Sequence, residues 1–457
     1  MDIFALDEVR YSCNESFQCL TEADGMLTTK PRGTNDFLPG EVEKWQYLEE
    51  VIRQLFAAYH YKEIRTPIFE HTELFLRSVG ETSDIVSKEM YSFEDKGLRH
   101  ITLRPEGTAG TVRAFVENKL FGQALPVKLY YIGPMFRYDQ PQAGRYRQFH
   151  QFGAEVLGSR EPIVDAEIIS FAVDLFSRLG LQSLSVLVNT VGCDKCRPGY
   201  HQALREYFSQ YEDQLCETCR ARLDKNPLRI LDCKEESCKA VAKGAPTTLE
   251  YACDDCKSHF EQVTAYLEST GVDYKIDTSL VRGLDYYTQT AFEIIMNKVG
   301  SQQNAICGGG RYNKLVSQVG GEDIPGMGFA AGMERLLLTL EEEGIELPIA
   351  RHIDVYIAPL GEKAKVPCFQ LTQALRKDGL VCETDYLSKS IKAQMKTADR
   401  HHARYSVIVG EEELARQVAV VRDMQASTQE DVPMNEITKY LRERLADVTI
   451  EENTSLY

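Results

Sequence analysis

The chain has 457 residues, with 52 Lys and Arg against 69 Asp and Glu for a formal net charge of −17, and it contains 13 cysteines. That length exceeds one ordinary domain and suggests about two to four. The acidic balance excludes nucleic-acid binding through an overall basic surface, so any such contact must come from a local patch. No run of about eighteen apolar residues occurs, which excludes a membrane-spanning helix. The N-terminus carries Asp2, Asp7 and Glu8 without an apolar core, unlike a secretory signal or a transit peptide. The expectation is a cytoplasmic protein with reduced thiols and no membrane partner.

Residues 1–25 show no periodicity and precede a second methionine, Met26; they read as a disordered extension or as sequence upstream of a start at Met26. Pro31, Gly33 and Pro39 punctuate a loop before an amphipathic helix from about Glu41 to Tyr59, with Val42, Trp45, Leu48, Ile52, Leu55 and Phe56 at helical spacing. Glu63 to Phe69 reads as a strand. His100 to Gly110 reads as a short strand turning at Pro105 and Gly107 into a helix, which sets Arg104, Glu106 and Thr108 at a strand end where ligands collect. Plain capping, with Thr108 as N-cap, accounts for the same residues equally well.

Leu129 to Phe136 reads as a buried strand, and Gln148 to Val156 alternates polar and apolar residues as a second strand would. The loop Asp139 to Gly144 between them is flanked by Arg137, Arg145 and Arg147. Guanidinium forks match phosphate and carboxylate oxygens, so such a hairpin suits a polyanion; the bland alternative is a solvated hairpin. Residues two apart share a sheet face, so Arg145, Arg147, Phe149, Gln151, Gly153 and Glu155 would line one surface if the strand extended that far.

Eight cysteines follow in four close pairs: Cys193 and Cys196, Cys216 and Cys219, Cys233 and Cys238, Cys253 and Cys256. Paired thiolates at this spacing can wrap tetrahedral zinc, so four pairs could make two structural sites in an inserted module. Buried, unliganded thiols are the alternative. Tyr200 to Gln214 reads as a helix within it. Sheet-like text returns from Lys275 to Ile295, where Arg282, Asp285, Tyr286 and Tyr287 group a cation, an anion and two phenols that suit a small zwitterion, or else form a solvated turn. Gly308 to Gly310 permit close backbone approach. Gly326 to Leu337 reads as a small-residue strand entering a helix that bears Arg335 near its start.

From Ile353 to about Leu445 strands and helices alternate as in a small mixed sheet. Lys389, Lys392, Lys396, Arg400 and Arg404 supply there the basic surface that the overall charge lacks; a solvated helix face is the alternative.

These residues add up to a resemblance. Phe136 and Arg137, the run RYRQF from Arg145 and the run GMERL ending at Leu336 resemble motifs 2 and 3 of class II aminoacyl-tRNA synthetases. LVRGLDYYT from Leu280 and GGGRYNKL from Gly308 resemble the two signatures of the histidyl-tRNA synthetase family, and the likeness runs from about Thr28 to Arg444. The resemblance implies an α+β fold: a six- to seven-stranded antiparallel sheet flanked by helices, a Cys-rich insertion, and a C-terminal mixed α/β anticodon-binding domain. It implies a catalytic domain at 26–345 interrupted at about 192–265, an anticodon-binding domain at 350–446 and a tail at 447–457.

The activity implied is ATP-dependent ligation of L-histidine to tRNA(His) through a histidyl adenylate, with Mg2+, in a homodimer whose interface includes the segment near Lys30 to Glu41 and the helix after it. By the same resemblance, Arg137 would grip the α-phosphate and the substrate carboxylate, and Arg145 and Arg335 the γ-phosphate, with Asp139 also on the ATP side and Phe149 stacked on adenine. Glu106, Thr108 and Gln151 would receive the histidine amino group, Glu155 and Tyr287 would bracket the imidazole, Gly107 and Tyr286 would also contact histidine, and Arg282 would stabilise the pentavalent phosphate. Asp139, Gln140 and Gln289 depart from the family pattern, which commonly has Glu, Arg and Arg there. The runner-up reading is the family's histidine-binding paralogue, the regulatory subunit of ATP phosphoribosyltransferase, which does no aminoacylation and lacks the C-terminal domain.

Overall fold

The computed structural model describes residues 28–80, 83, 85–297, 305–349 and 353–453, the last eight only as helical backbone. The expected N-terminal extension lies outside these residues. The chain divides into two compact units, Met1–Glu346 and Leu347–Tyr457.

In the first unit the strands are β1 (Lys62–Glu63), β2 (Phe69–His71), β3 (Tyr91–Glu94), β4 (His100–Leu103), β5 (Val127–Phe136), β6 (Gln148–Leu157), β7 (Leu184–Thr190), β8 (Tyr274–Ile276), β9 (Thr288–Met296), β10 (Ala305–Arg311) and β11 (Gly326–Gly332). Eight of them form one sheet in the order β1-β5-β6-β11-β10-β9-β7-β8. The six central strands are antiparallel, and a short parallel strand closes each edge. The expected antiparallel sheet is therefore present, enlarged by its two parallel edges. The hairpin β5–β6 pairs without a shift from Val127 opposite Leu157 to Phe136 opposite Gln148.

Burial on both faces holds this sheet. The helix Val42–Ala58 buries Trp45, Leu48, Ile52, Leu55 and Phe56, the apolar stripe read from the sequence. Phe56 stacks on Tyr130 of β5 at 4.3 Å and on Phe171 of the helix Pro162–Arg178 at 4.5 Å. Beneath the centre of the sheet, Arg311 is fully buried against Asp165, and His259 of the helix Asp254–Ser269 reaches the same carboxylate at 3.2 Å. Burial alone would raise the Asp165 carboxyl, but Arg311 and His259 outweigh it and hold the group below the usual carboxylate range. One ion pair thus joins β10, the sheet helix and the last helix of the Cys-rich insertion.

Local expectations fail in three places. The strand expected over 63–69 is two short strands, β1 and β2, because Pro67 has no N–H to offer a ladder. The N-cap of the helix Thr108–Glu117 is Gly107 rather than Thr108; the Glu106 carboxylate accepts the Thr108 and Ala109 amides at 2.7 and 2.9 Å, which leaves the Thr108 hydroxyl for other work. The tail set off at 447 begins inside the helix Ile437–Asn453.

The second unit is a five-stranded mixed sheet of β12 (Val355–Pro359), β13 (Cys382–Thr384), β14 (Tyr405–Val409), β15 (Val418–Asp423) and β16 (Gln429–Pro433), ordered β13-β12-β14-β15-β16. The first three strands are parallel and the rest antiparallel. On the helix Ile391–Arg400, Lys392, Lys396 and Arg400 stand exposed at four-residue spacing.

Candidate active site

Two adjoining cavities open over the central strands. One, of about 500 Å³, is bordered by Arg137, Asp139, Arg145, Phe149, Glu293, Glu334 and Arg335 among others. The other, of about 290 Å³, is bordered by Glu106, Thr108, Gln151, Asp232, Tyr286 and Tyr287 among others. Arg137, Arg145, Arg282, Gly308 and Ala330 border both.

The first cavity is cationic. Arg137 donates from Nε to the Pro105 carbonyl at 2.8 Å and lies 5.3 Å from the Phe149 ring centre. Arg145 pairs with Asp139 at 2.8 Å, across the turn that Gly144 makes at φ +70°. Burial first, and Arg145 second, lower the pKa of Arg335; burial and Arg145 also act against the charge on Arg137. Half-buried cations that repel one another are relieved by an anion, so a polyphosphate would be favoured here. Arg147 takes no part: the strand begins only at Gln148, and Arg147 lies over the Tyr138 ring at 4.0 Å while its backbone N–H donates to Gly33.

The second cavity is built from phenols and carboxyls. Glu155 lies under its floor, fully buried, and connects to it through Thr108, whose hydroxyl donates to Glu155 Oε1 at 2.7 Å. Tyr312 donates to the other oxygen, and Tyr131 approaches at 3.4 Å. Burial pushes the Glu155 carboxyl up to about 8 despite those donors, with Glu106 adding to the rise, and burial likewise raises Glu106. Gln151 borders the same cavity, and its Oε1 has no partner among the described residues. Gly107 borders neither cavity; a side chain there would overlap the Tyr131 ring.

Arg282 stands between the two cavities, half-buried and paired with Glu293. Burial works against its charge, but Glu293 outweighs that and keeps it raised. Its Nε has no partner among the described residues.

A model of the histidyl-tRNA synthetase family matches residues 33–336, and an anticodon-binding domain model matches 354–444. The histidine--tRNA ligase of Desulforamulus reducens is 59% identical over 419 residues, covering 92% of this chain and all of that protein. The chain belongs to the histidyl-tRNA synthetase family. The ligase of Halothermothrix orenii is 55% identical over 88% of this chain and 96% of its own. Among solved structures, apo histidyl-tRNA synthetase of Staphylococcus aureus superposes with a TM-score of 0.79 at 41% identity, over 91% of this chain and all of that one.

Several residues around the synthetase cleft carried weak sequence signals. Glu293 is a lone charge in the strand AFEII, Tyr312 follows the triple glycine, and Tyr131 hides in an apolar run. Glu334, which accepts the His150 amide at 2.8 Å and so ties the last helix of the first unit to β6, follows Met333 in the small-residue run. Arg229 and Asp232 come from the insertion and carried no local signal at all.

The raised Glu155 carboxyl makes a pH prediction. A folded state that keeps a proton which the unfolded chain releases loses stability as pH rises from the usual carboxylate range through about 8. Thermal unfolding between pH 5 and pH 8 should show the parent losing Tm and Glu155→Gln losing less. Parallel profiles would rule out a buried, protonated Glu155.

Proposed function

We propose that the chain ligates L-histidine to tRNA(His) at the expense of ATP, with the amino acid in the smaller cavity and the nucleotide in the larger. The observation that carries this is the shared border: a carboxylate in one cavity and an α-phosphate in the other would meet at Arg137 and Arg282. A histidine carboxylate oxygen attacks the α-phosphorus, the bond to the bridging oxygen breaks, and pyrophosphate leaves. Charge grows on the phosphate oxygens, so fixed cations and positioning do most of the work and no side-chain nucleophile is needed. A terminal ribose hydroxyl of tRNA then attacks the carbonyl carbon of the adenylate, and AMP leaves.

In this reading Arg145 and Arg335 hold the outer phosphates, and Asp139 keeps Arg145 in place. Phe149, already beside a guanidinium, offers its ring to adenine. Glu106 and Gln151 accept from the ammonium. Tyr286 and Tyr287 border the imidazole end, with Glu155 behind Thr108 supplying the carboxyl that a ring with one donor and one acceptor nitrogen can match. Mg2+ would neutralise phosphate charge when bound, and the carboxylates of Asp139, Glu293 and Glu334 are hard oxygen donors on that side.

The exposed Lys392, Lys396 and Arg400 give the second unit a cationic stripe for RNA phosphates. Two copies would form the working enzyme: Phe69 and Phe93 lie exposed on one face of the small sheet β2-β4-β3, as their registers against Leu103 and Ile101 require, and Leu38 is exposed as well. The cytoplasm is where tRNA and ATP meet such an enzyme.

The cysteines hold structural zinc in this reading. Cys193, Cys196, Cys253 and Cys256 converge, as do Cys216, Cys219, Cys233 and Cys238. Sulfur separations of 3.7, 3.8 and 3.9 Å in the first set and 3.9 Å in the second match the edge of roughly 3.8 Å that follows from a tetrahedron with Zn–S near 2.3 Å.

Purified protein should exchange pyrophosphate into ATP when histidine is supplied; equal exchange with another amino acid would defeat the assignment. Metal analysis should find about two zinc ions per chain, and a folded, zinc-free protein would end the structural-metal reading.

A further inference from the structure

Each cysteine tetrad sits next to an arginine that leaves the insertion and grips the same loop of the catalytic sheet. In the first, Arg197 follows Cys196 directly, is largely buried, and donates to the backbone carbonyls of Tyr287 and Val191. In the second, the segment between Cys219 and Cys233 carries Arg229, which donates to the Gly283 carbonyl and to Asp285 Oδ1, both at 2.8 Å. Asn226 reaches the same Asp285 oxygen at 3.1 Å. The loop so held, 281–287, bears Arg282, Tyr286 and Tyr287, three groups that border the smaller cavity.

Arg229 is held by a core that the tetrad cysteines help to build, together with Ile230, Leu204 and Phe208. It lies on the four-residue helix Leu228–Leu231, and the core around it is a small cluster in which Cys219 and Cys238 are themselves fully buried members. A helix of one turn does not hold its shape alone. Four sulfurs around a soft divalent ion would hold it, because binding free energy in such a module is folding free energy.

We propose that the two metal-clamped knots of the insertion position the histidine loop through Arg197 and Arg229, so that the integrity of the tetrads governs histidine affinity more than ATP affinity. The bias follows from geometry: the smaller cavity takes Arg282, Gly283, Leu284, Tyr286 and Tyr287 from the loop, whereas the larger takes only Arg282 from the loop and Lys234 from the insertion, the rest coming from the β5–β6 hairpin, β9 to β11 and the helix that bears Arg335. Arg229 is a positioning residue here, acting through Asp285. The proposal rests on the zinc reading of the tetrads and the histidine reading of the smaller cavity.

The test measures histidine KM, ATP KM and zinc content in pyrophosphate exchange with the full chain. Arg229→Ala should raise histidine KM at least tenfold, raise ATP KM by a smaller factor, and leave zinc unchanged, with Arg229→Lys recovering part of the loss. Asp285→Asn should move histidine KM in the same direction, and the double variant should be no worse than the worse single one, as expected when two residues act through one contact. A histidine KM within twofold of the parent for Arg229→Ala, equal rises in both KM values, or additive effects in the double variant would each overturn the positioning role. Cys219→Ser should lose zinc from one knot and raise histidine KM as Arg229→Ala does; a parental KM after that loss would overturn the metal dependence. Zinc missing from the parent refutes the zinc reading by itself, since the arginine link is read from KM.

Discussion

The site depends on two neighbouring strands at the centre of the sheet that are rich in glycine and alanine, GGG in β10 and GMGFAAG in β11. Gly308, Gly309 and Gly310 of β10 face Phe329, Gly328 and neighbouring residues of β11, and larger groups from elsewhere lie in the space left open. A methyl group at Gly308 would overlap the Arg282 guanidinium, one at Gly310 would come within 2.8 Å of the Tyr287 ring, and one at Gly328 would overlap the Glu155 carboxyl. Glycine in a strand weakens it by roughly 0.5–1 kcal/mol per residue. The pairing that offsets this is strong on both flanks, since β10 and β11 each have neighbours on two sides and lie buried. The cleft is a sheet whose middle has been emptied so that a cation, phenols and a carboxyl can lie flat upon it.

Charge is handled in two ways in the same unit. Where a charge serves the frame it is matched and dry, as with Arg311, Asp165 and His259; removing one partner from such a buried set costs on the order of 3–5 kcal/mol, against about 0–1 kcal/mol for exposed pairs. Where charge serves the ligand it is left in excess. Arg137, Arg145 and Arg335 crowd one cavity, and burial together with the Arg145 charge opposes the charges on Arg137 and Arg335. The two arrangements share β10, whose Gly308 lies under Arg282 and whose Arg311 anchors the frame three residues later.

Much of this was legible in the residues. The apolar stripe of the first helix, the β5–β6 hairpin and the strand-helix order of the second unit followed from periodicity, and the arginines that border the cleft were conspicuous against an acidic chain. The cysteine pairs were visible as pairs, although which pair joins which required the fold: the first joins the fourth, and the second joins the third. Contacts made across long separations left no local trace. Thr108 turned to Glu155 and Arg229 carried from the insertion to Asp285 both depend on chain segments that only the folded sheet brings together. Asp139, where a longer carboxylate is common, finds Arg145 as its partner.

The central claim is that the emptied strands exist to seat the reactive groups, and Gly308→Ala tests it most directly. The atoms nearest to the added methyl all belong to the end of the flexible Arg282 side chain rather than to the backbone of the sheet. Single-turnover formation of histidyl adenylate should slow by at least tenfold while Tm stays at the parental value. A parental rate in the folded variant would contradict the account.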